Sequence, residues 1–238
     1  MNSHINLAEI NYIIQAMSKL RSYANITERF ILDSNFIEVK SGMLSINGKK
    51  EMPYSMPKLK NMHILNVFPH ISRSSLFITI VSAFEKCLYE LSDFISVHKK
   101  IPYNHKKHSH LSLFERIEMY LKDEVGAVLS AGKEREKIIN FNLIRNCLVH
   151  NNGDIWDKTE GDKREKLINA INKNELISYS LMDIINEVLS EQQVQLEPTL
   201  IIPDQDAQRF FFLKGFCFQV LDTYESYLKS LFDLNKDL

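Results

Sequence analysis

Glycine and proline are scarce in this chain, with 7 glycines and 6 prolines among 238 residues. Sandwiches and barrels with many tight turns need both residue types, so their scarcity favours long helices. A dominant charge is also missing, because 29 Lys and Arg residues stand against 30 Asp and Glu residues. The whole molecule therefore has no net attraction for nucleic acid, and any RNA binding must use local basic patches.

Paired cysteines and long apolar runs are absent as well. Cys87, Cys147 and Cys217 are far apart and form no CxxC pair, which predicts buried thiols in a reducing compartment. The longest apolar stretch, residues 210–220, contains Lys214 and is too short to cross a bilayer. The N-terminal residues do not resemble a signal peptide. We therefore expect a cytoplasmic protein with no membrane partner.

Apolar residues recur every three or four positions along most of the chain, which predicts an all-α helical bundle. Helices are expected over residues 5–39, 72–97, 111–129, 133–150 and 208–232, with a weaker helical pattern over 167–189. Asn47-Gly48 predicts a short β-hairpin or otherwise a loop, and residues 194–196 and 199–202 could pair as a second hairpin. Turn residues between Lys40 and Pro57 divide the chain into an N-terminal extension, 1–60, and a helical core, 61–238.

The most informative stretch is Arg145-Asn146-Cys147-Leu148-Val149-His150, which is followed directly by Asn151-Asn152-Gly153. The helical pattern that begins at Lys133 runs through it, and Gly153 stands where a helix would end in a left-handed cap. A guanidinium, a carboxamide and an imidazole are thus grouped in the last turns of one helix. These groups can bind and act on a phosphodiester without a metal.

The faces of this helix indicate how the motif is completed. Asn142, Asn146 and His150 form an i, i+4, i+8 stripe, so Asn146 can orient the imidazole. Arg145 is turned by roughly 140° from His150. Both sides of the helix carry apolar residues, which is typical of a helix that packs on two sides. The motif therefore predicts half of a site shared with a second subunit across a two-fold axis.

Arg-x4-His, with Asn directly after Arg at the end of a helix, resembles the HEPN superfamily. The resemblance rests on Arg145, Asn146 and His150, with Asn151 as a further polar residue, and the looser helical likeness covers residues 61–238. It implies a helical bundle, usually a homodimer, with metal-independent endoribonuclease activity in bacterial toxins, phage defence and RNA processing. An antitoxin or regulatory protein would then be a partner, and no cofactor is expected. One branch of the family has a modified tyrosine where this chain has Asn152, so that mode of control is not expected here.

Glu85 is the polar residue on helix 72–97 that the resemblance would turn toward the motif, although a solvated surface carboxylate is an alternative. The loop 98–111 is rich in lysine and histidine, and three interpretations are open: a metal site, an RNA-binding loop, or a solvated connector. If the resemblance holds, we expect RNA contacts in this loop and no metal. These contact candidates are Lys99, Lys100, Tyr103, Lys106 and Lys107.

The chemistry expected of the motif is transesterification of RNA, which leaves a 2′,3′-cyclic phosphate and a 5′-hydroxyl. His150 would act as proton donor or acceptor, and its place at a helix C-terminus favours the donor role. Arg145 would stabilise charge on the phosphate, and Asn146 would fix His150 or bind a phosphate oxygen. The alternative is a non-catalytic dimeric module that binds RNA, nucleotide or protein. In that case Arg145 caps the helix or pairs with Glu85, and His150 is a satisfied interface residue.

Overall fold

A computed structural model describes residues 7–33, 37–46, 50–59, 62–104, 107–129, 132–151, 153–155, 161–180, 183, 187 and 209–234. Of these residues, 77% are helical, which confirms the all-α character. The helices are α1 (Leu7–Asp33), α2 (Met62–Lys99), α3 (Leu113–Met119, continued by a π-helical segment, Tyr120–Val125), α4 (Lys133–Asn151), α5 (Gly161–Asn172) and α6 (Phe216–Leu234). The strands are β1 (Ile37–Ile46), β2 (Lys50–Leu59), β3 (Ile177–Ser178) and β4 (Phe211–Phe212).

Helix α2 is the centre of the bundle and contacts α1, α3, α4, α6 and β4. Its large apolar side chains face an aromatic core, in which Phe84 stacks on Tyr224 with ring centroids 3.9 Å apart. Phe212 stacks on Phe216 at 4.0 Å in the same way. Aromatic rings bury the largest apolar areas in a core, so the first contact fixes α2 against α6 and the second fixes β4 against α6. Both helices therefore support α4, which packs on them.

Helix α1 joins this core through a fully buried arginine on α2. The Arg73 guanidinium donates to Glu28 of α1 through Nε at 2.9 Å and Nη2 at 2.7 Å, and Nη1 donates to the Phe212 carbonyl at 2.9 Å. Nη2 also donates to Glu187 at 2.6 Å. Met17 of α1 is fully buried. The domain boundary at residue 60 stays a prediction, whereas α1 is packed into the bundle.

The first β-hairpin is confirmed and is longer than the sequence indicated. Strands β1 and β2 pair antiparallel from Ile37 opposite Leu59 to Ile46 opposite Lys50. Helix α1 ends at Asp33 rather than near residue 39, because residues 37–39 belong to β1. The turn residues 47–49 and the second expected hairpin, 194–202, lie outside the described residues.

The C-terminal helix begins later than expected, at Phe216 instead of residue 208. Residues 211–212 form β4, which pairs with β3, and Gly215 adopts a φ of +91° just before α6. Helix α5 also starts earlier than the weak pattern suggested and ends at Asn172. The sequence places the start of α6 too early because Phe210, Phe211 and Phe212 are all buried, and such an apolar run does not distinguish strand from helix.

In the part of the chain that is described, no helix is both long enough and apolar enough to cross a membrane.

Candidate functional site

The motif helix ends as the sequence predicts. Helix α4 stops at Asn151, and Gly153 follows with a φ of +78° while its N–H donates to the Cys147 carbonyl at 3.2 Å. A residue with a side chain is strained in this left-handed conformation, which explains the glycine. The next residue, Asp154, forms an isolated β-bridge with Arg209. The end of α4 is therefore anchored to the segment that leads into β4.

One side of α4 is core and the other is only partly covered. The core side was expected from the three-to-four spacing and is buried: Ile138, Phe141, Ile144, Cys147 and Leu148. On the other side Ile139 and Leu143 are half-buried against the core, while Val149 is 43% exposed. An apolar side chain this exposed beside His150 leaves room for a further packing partner at the end of the helix.

The three motif side chains differ in exposure. Asn146 and His150 are exposed, and Arg145 is half-buried. The Arg145 Nη1 donates to the Asn146 Oδ1 at 2.9 Å. Among the hydrogen bonds of the described residues, the expected contact between Asn146 and His150 is absent. Asn146 thus positions the guanidinium rather than the imidazole.

Glu85 lies on the α2 surface that faces Arg145 and is half-buried. Burial raises the pKa of its carboxyl, and the nearby charges of Arg145 and Arg116 oppose that rise. The fully buried Tyr224 experiences the charges of both Glu85 and Arg145, and burial raises the pKa of its phenol well above the ordinary value. Arg145 is therefore directed toward α2 and α6, with Glu85 as its electrostatic partner.

Two side-chain nitrogens of α4 are buried near the motif. The Arg145 Nε and the Asn142 Nδ2 are inaccessible to solvent, and neither has a hydrogen-bond partner among the described residues. Such groups are costly unless they are paired. Glu85 of α2 and Arg145 of α4 thus form a polar seam beside the motif, in which the Arg145 Nε is buried.

Within one chain, Arg145 and His150 lie in different surroundings. The guanidinium faces the half-buried seam, whereas the imidazole is exposed at the helix end, about 7.5 Å farther along the axis. A single chain therefore does not bring the two groups to one closed pocket. Asn151, the last helical residue, is half-buried, and its carbonyl accepts from the Asp154 N–H at 2.9 Å.

The lysine- and histidine-rich loop is only partly described, since His105 and Lys106 lie outside the described residues. Lys99 and Lys100 are exposed at the end of α2, and Lys100 has a φ of +57°. Lys107 forms an ion pair with Glu124 at 2.5 Å, so much of its charge is locally balanced.

The Tyr103 ring is held against the bundle. Its backbone N–H donates to the Ser96 Oγ at 3.3 Å, and its ring centroid lies 5.0 Å from that of Tyr120. Tyr103 and Lys107 line a shallow depression beside the π-helical segment. Of the four loop candidates that lie in the described residues, these two line the same depression.

Arg116 is a residue of this region that the sequence did not single out. It lies on α3, whose start is fixed by a capping box in which Ser112 and Glu115 bond reciprocally. Arg116 is half-buried, is close enough to Glu85 to affect its carboxyl, and lines the depression with Tyr103 and Lys107. No sequence signal marks it, because an arginine on a short amphipathic helix is typical of a solvated face.

The described residues contain no group of three or more His, Cys, Asp or Glu side chains arranged to hold a metal ion.

Comparison with known proteins gives no significant match for this chain among protein-family models, curated proteins or solved structures.

Proposed function

We propose that this chain is a metal-independent endoribonuclease of the HEPN type, active as a homodimer, and that it acts as a bacterial toxin or phage-defence effector. The observation that carries the proposal is the end of α4. There Asn146 and His150 are exposed, and Arg145 donates a hydrogen bond to Asn146 and lies near the charge of Glu85. Asn146 and His150 are therefore open to a substrate.

The proposed reaction is attack of the ribose 2′-oxygen on the adjacent phosphorus. The new O2′–P bond forms as the P–O5′ bond breaks, so the products are a 2′,3′-cyclic phosphate and a 5′-hydroxyl. A base removes the 2′-hydroxyl proton, and an acid gives a proton to the departing 5′-oxygen. The exposed imidazole of His150 can serve in either role near neutral pH.

Arg145 supplies the charge that this reaction needs. Negative charge accumulates on the phosphate oxygens during attack, and a guanidinium can bind two of them through its planar fork. The C-terminal end of a helix repels a phosphate, so a fixed cation is required at this place. Because Nη1 donates to Asn146 and Nε is inaccessible to solvent, Nη2 is the nitrogen that is left to donate to a phosphate oxygen.

A second copy of the chain completes the site in this proposal. Arg145 and His150 of one chain lie in different surroundings, and the apolar Val149 beside His150 is 43% exposed. Packing two α4 ends about a two-fold axis would cover Val149 and bring a second imidazole to the scissile phosphate. The two histidines could then divide the acid and base roles between them.

The test is incubation of the purified chain with total RNA in the presence of EDTA, beside the His150→Ala variant. We expect fragments from the wild-type chain and none from the variant, because the proposed chemistry uses no metal and needs the imidazole. Cleavage that EDTA abolishes, or that His150→Ala retains at the wild-type rate, would refute the proposal.

A non-catalytic RNA- or protein-binding dimer is the second candidate, and one observation favours it. Arg145 already has an electrostatic partner, Glu85, within its own chain. Growth during overexpression separates the two candidates: a nuclease should slow growth, and Arg145→Ala or His150→Ala should restore it. A binding module should leave growth the same in all three strains.

A further inference from the structure

Arg116 stands between the two parts of the surface that the sequence assigns to RNA. On one side it lies near the carboxylate of Glu85, as Arg145 of the motif does. On the other side it lines the depression that also contains Tyr103 and Lys107. The motif and the loop are therefore connected in space by a guanidinium from a third element, α3.

Two tyrosines flank this connection. Tyr103 is fixed by its bond to Ser96 and by its contact with Tyr120, whose hydroxyl donates to the Ile101 carbonyl at 2.7 Å. Tyr89 of α2 lies near Tyr103 and is 38% exposed. Fixed, partly exposed rings beside a cation are the usual means by which proteins hold unpaired bases.

Carboxylates limit the charge of this surface. Asp93 of α2 lies near Tyr103, Asp123 and Glu124 line the depression, and Glu85 lies near both arginines. The ion pair with Glu124 offsets Lys107, so the lysine adds little net attraction. Phosphate binding here depends on a group that can bind two oxygens at once, which a guanidinium does and an ammonium does not.

We propose that Arg116 binds a backbone phosphate of single-stranded RNA and so extends the α4 motif into a track that passes Tyr103 and ends at Lys107. The substrate class, RNA, rests on the function proposed above. The new elements are the role of Arg116 and the requirement for an unpaired strand. Glu85 acts as an internal anion that competes with the phosphate for the two guanidinium groups.

Equilibrium binding tests the track without depending on cleavage. A fluorescein-labelled single-stranded RNA of about twelve nucleotides, a length within the usual range of such sites, is titrated with the full chain carrying His150→Ala. Fluorescence anisotropy is followed between about 50 and 200 mM salt, since each phosphate contact to a single strand contributes roughly 0.7 to the slope of log K against log salt.

Arg116→Ala in this background should weaken binding several-fold and reduce the slope by about 0.7. Arg116→Lys should keep the slope, because it keeps the charge, and should still bind more weakly. Glu85→Gln should bind more tightly, because it removes the competing anion. Arg29→Ala is the matched control, since Arg29 is exposed on α1 and its loss removes the same charge. Circular dichroism verifies that each variant is folded.

The track is wrong if Arg116→Ala and Arg29→Ala give the same affinity and slope, or if Glu85→Gln leaves the affinity unchanged. If Arg116→Ala does not fold, the affinities and slopes of Arg116→Gln and Glu85→Gln test the track in its place. Equal or tighter binding of the corresponding RNA duplex would refute the single-strand requirement. These outcomes can be distinguished from those of the nuclease test. If the track binds RNA but the chain does not cleave it, only the nuclease is refuted. If the chain cleaves RNA but binding does not depend on Arg116, only the track is refuted.

Discussion

Arg73, Arg135 and Arg145 lie near carboxylates at different depths, and their roles differ with depth. Arg73 is fully buried, and its guanidinium donates to Glu28, Glu187 and the Phe212 carbonyl, so it holds these elements together. Arg135 is 41% exposed and donates to the buried Glu118 at 2.8 Å. Arg145 is close to Glu85, and among the described residues its guanidinium has one hydrogen bond, to Asn146. A guanidinium in this intermediate state can bind an additional anion.

The pair Arg135–Glu118 allows a prediction for stability. Burial raises the pKa of Glu118, while Arg135 and the hydroxyl of Tyr227 oppose the rise. Arg135→Ala removes the charge that compensates a buried carboxylate. We expect the free energy of unfolding to fall by about 1–3 kcal/mol near pH 7, less than for a fully buried pair because Arg135 is partly exposed.

The pH dependence of this loss has a definite sign. A carboxyl with a raised pKa in the folded state binds its proton more readily there than in the unfolded chain, so the fold gains stability as pH falls toward the ordinary value of 4.5. The deficit of Arg135→Ala should therefore shrink between about pH 7 and pH 5. Urea unfolding at each pH measures the loss of stability. Lys173→Ala is the control, because Lys173 and Glu136 form an exposed pair. Equal losses in the two variants would contradict the prediction.

At the scale of single elements, the end of α4 is the most constrained point. Gly153 has a φ of +78°, and an added Cβ would lie 3.3 Å from the Leu148 Cδ2. Gly153→Ala should lower the free energy of unfolding by about 1–2 kcal/mol, since it combines backbone strain with a close contact. Thermal unfolding followed by circular dichroism checks the value.

Gly161→Ala is the control for this substitution. Gly161 is the first residue of α5, and an added Cβ there meets nothing within 4 Å. Alanine favours helix over glycine by up to about 1 kcal/mol, so this variant should be equally or more stable than the wild type. An unchanged stability of Gly153→Ala would mean that the left-handed cap does not hold the motif in place.

Helices with regular spacing could be predicted from the sequence, whereas long-range contacts could not. Helix α4 was predicted with its end, because its apolar residues recur regularly and a glycine follows. The start of α6 was missed, because Phe211 and Phe212 are fixed by pairing with Ile177 and Ser178, more than thirty positions earlier. Local spacing contains no information about such a partner.

The residues of the candidate site also differ in whether the sequence could reveal them. Arg145, Asn146 and His150 are close in sequence, and their local pattern revealed them. Arg116 and Glu85 belong to two other helices, and only the packing of α2, α3 and α4 brings them near Arg145. A charged residue on a helix is usually solvated, so neither residue type nor position identified Arg116.

At the scale of the whole molecule, the proposed site requires a second copy of the chain. We expect a homodimer by sedimentation, and Val149→Asp should shift it toward the monomer because the charge would lie in the interface beside His150. Val97→Asp is the matched control, since Val97 is also an exposed valine, at the far end of α2, with 75% exposure. A wild-type monomer, or a dimer that Val149→Asp leaves intact, would contradict the shared site.

The most direct test of the central claim is mass spectrometry of the RNA ends formed in a reaction that contains a chelator. Attack by the 2′-oxygen can give only 2′,3′-cyclic phosphates and 5′-hydroxyls at first, and the account predicts these ends with wild-type chain and their absence with His150→Ala. Fragments that carry 3′-hydroxyls and 5′-phosphates would instead indicate attack by water, and they would contradict a mechanism built on Arg145 and His150.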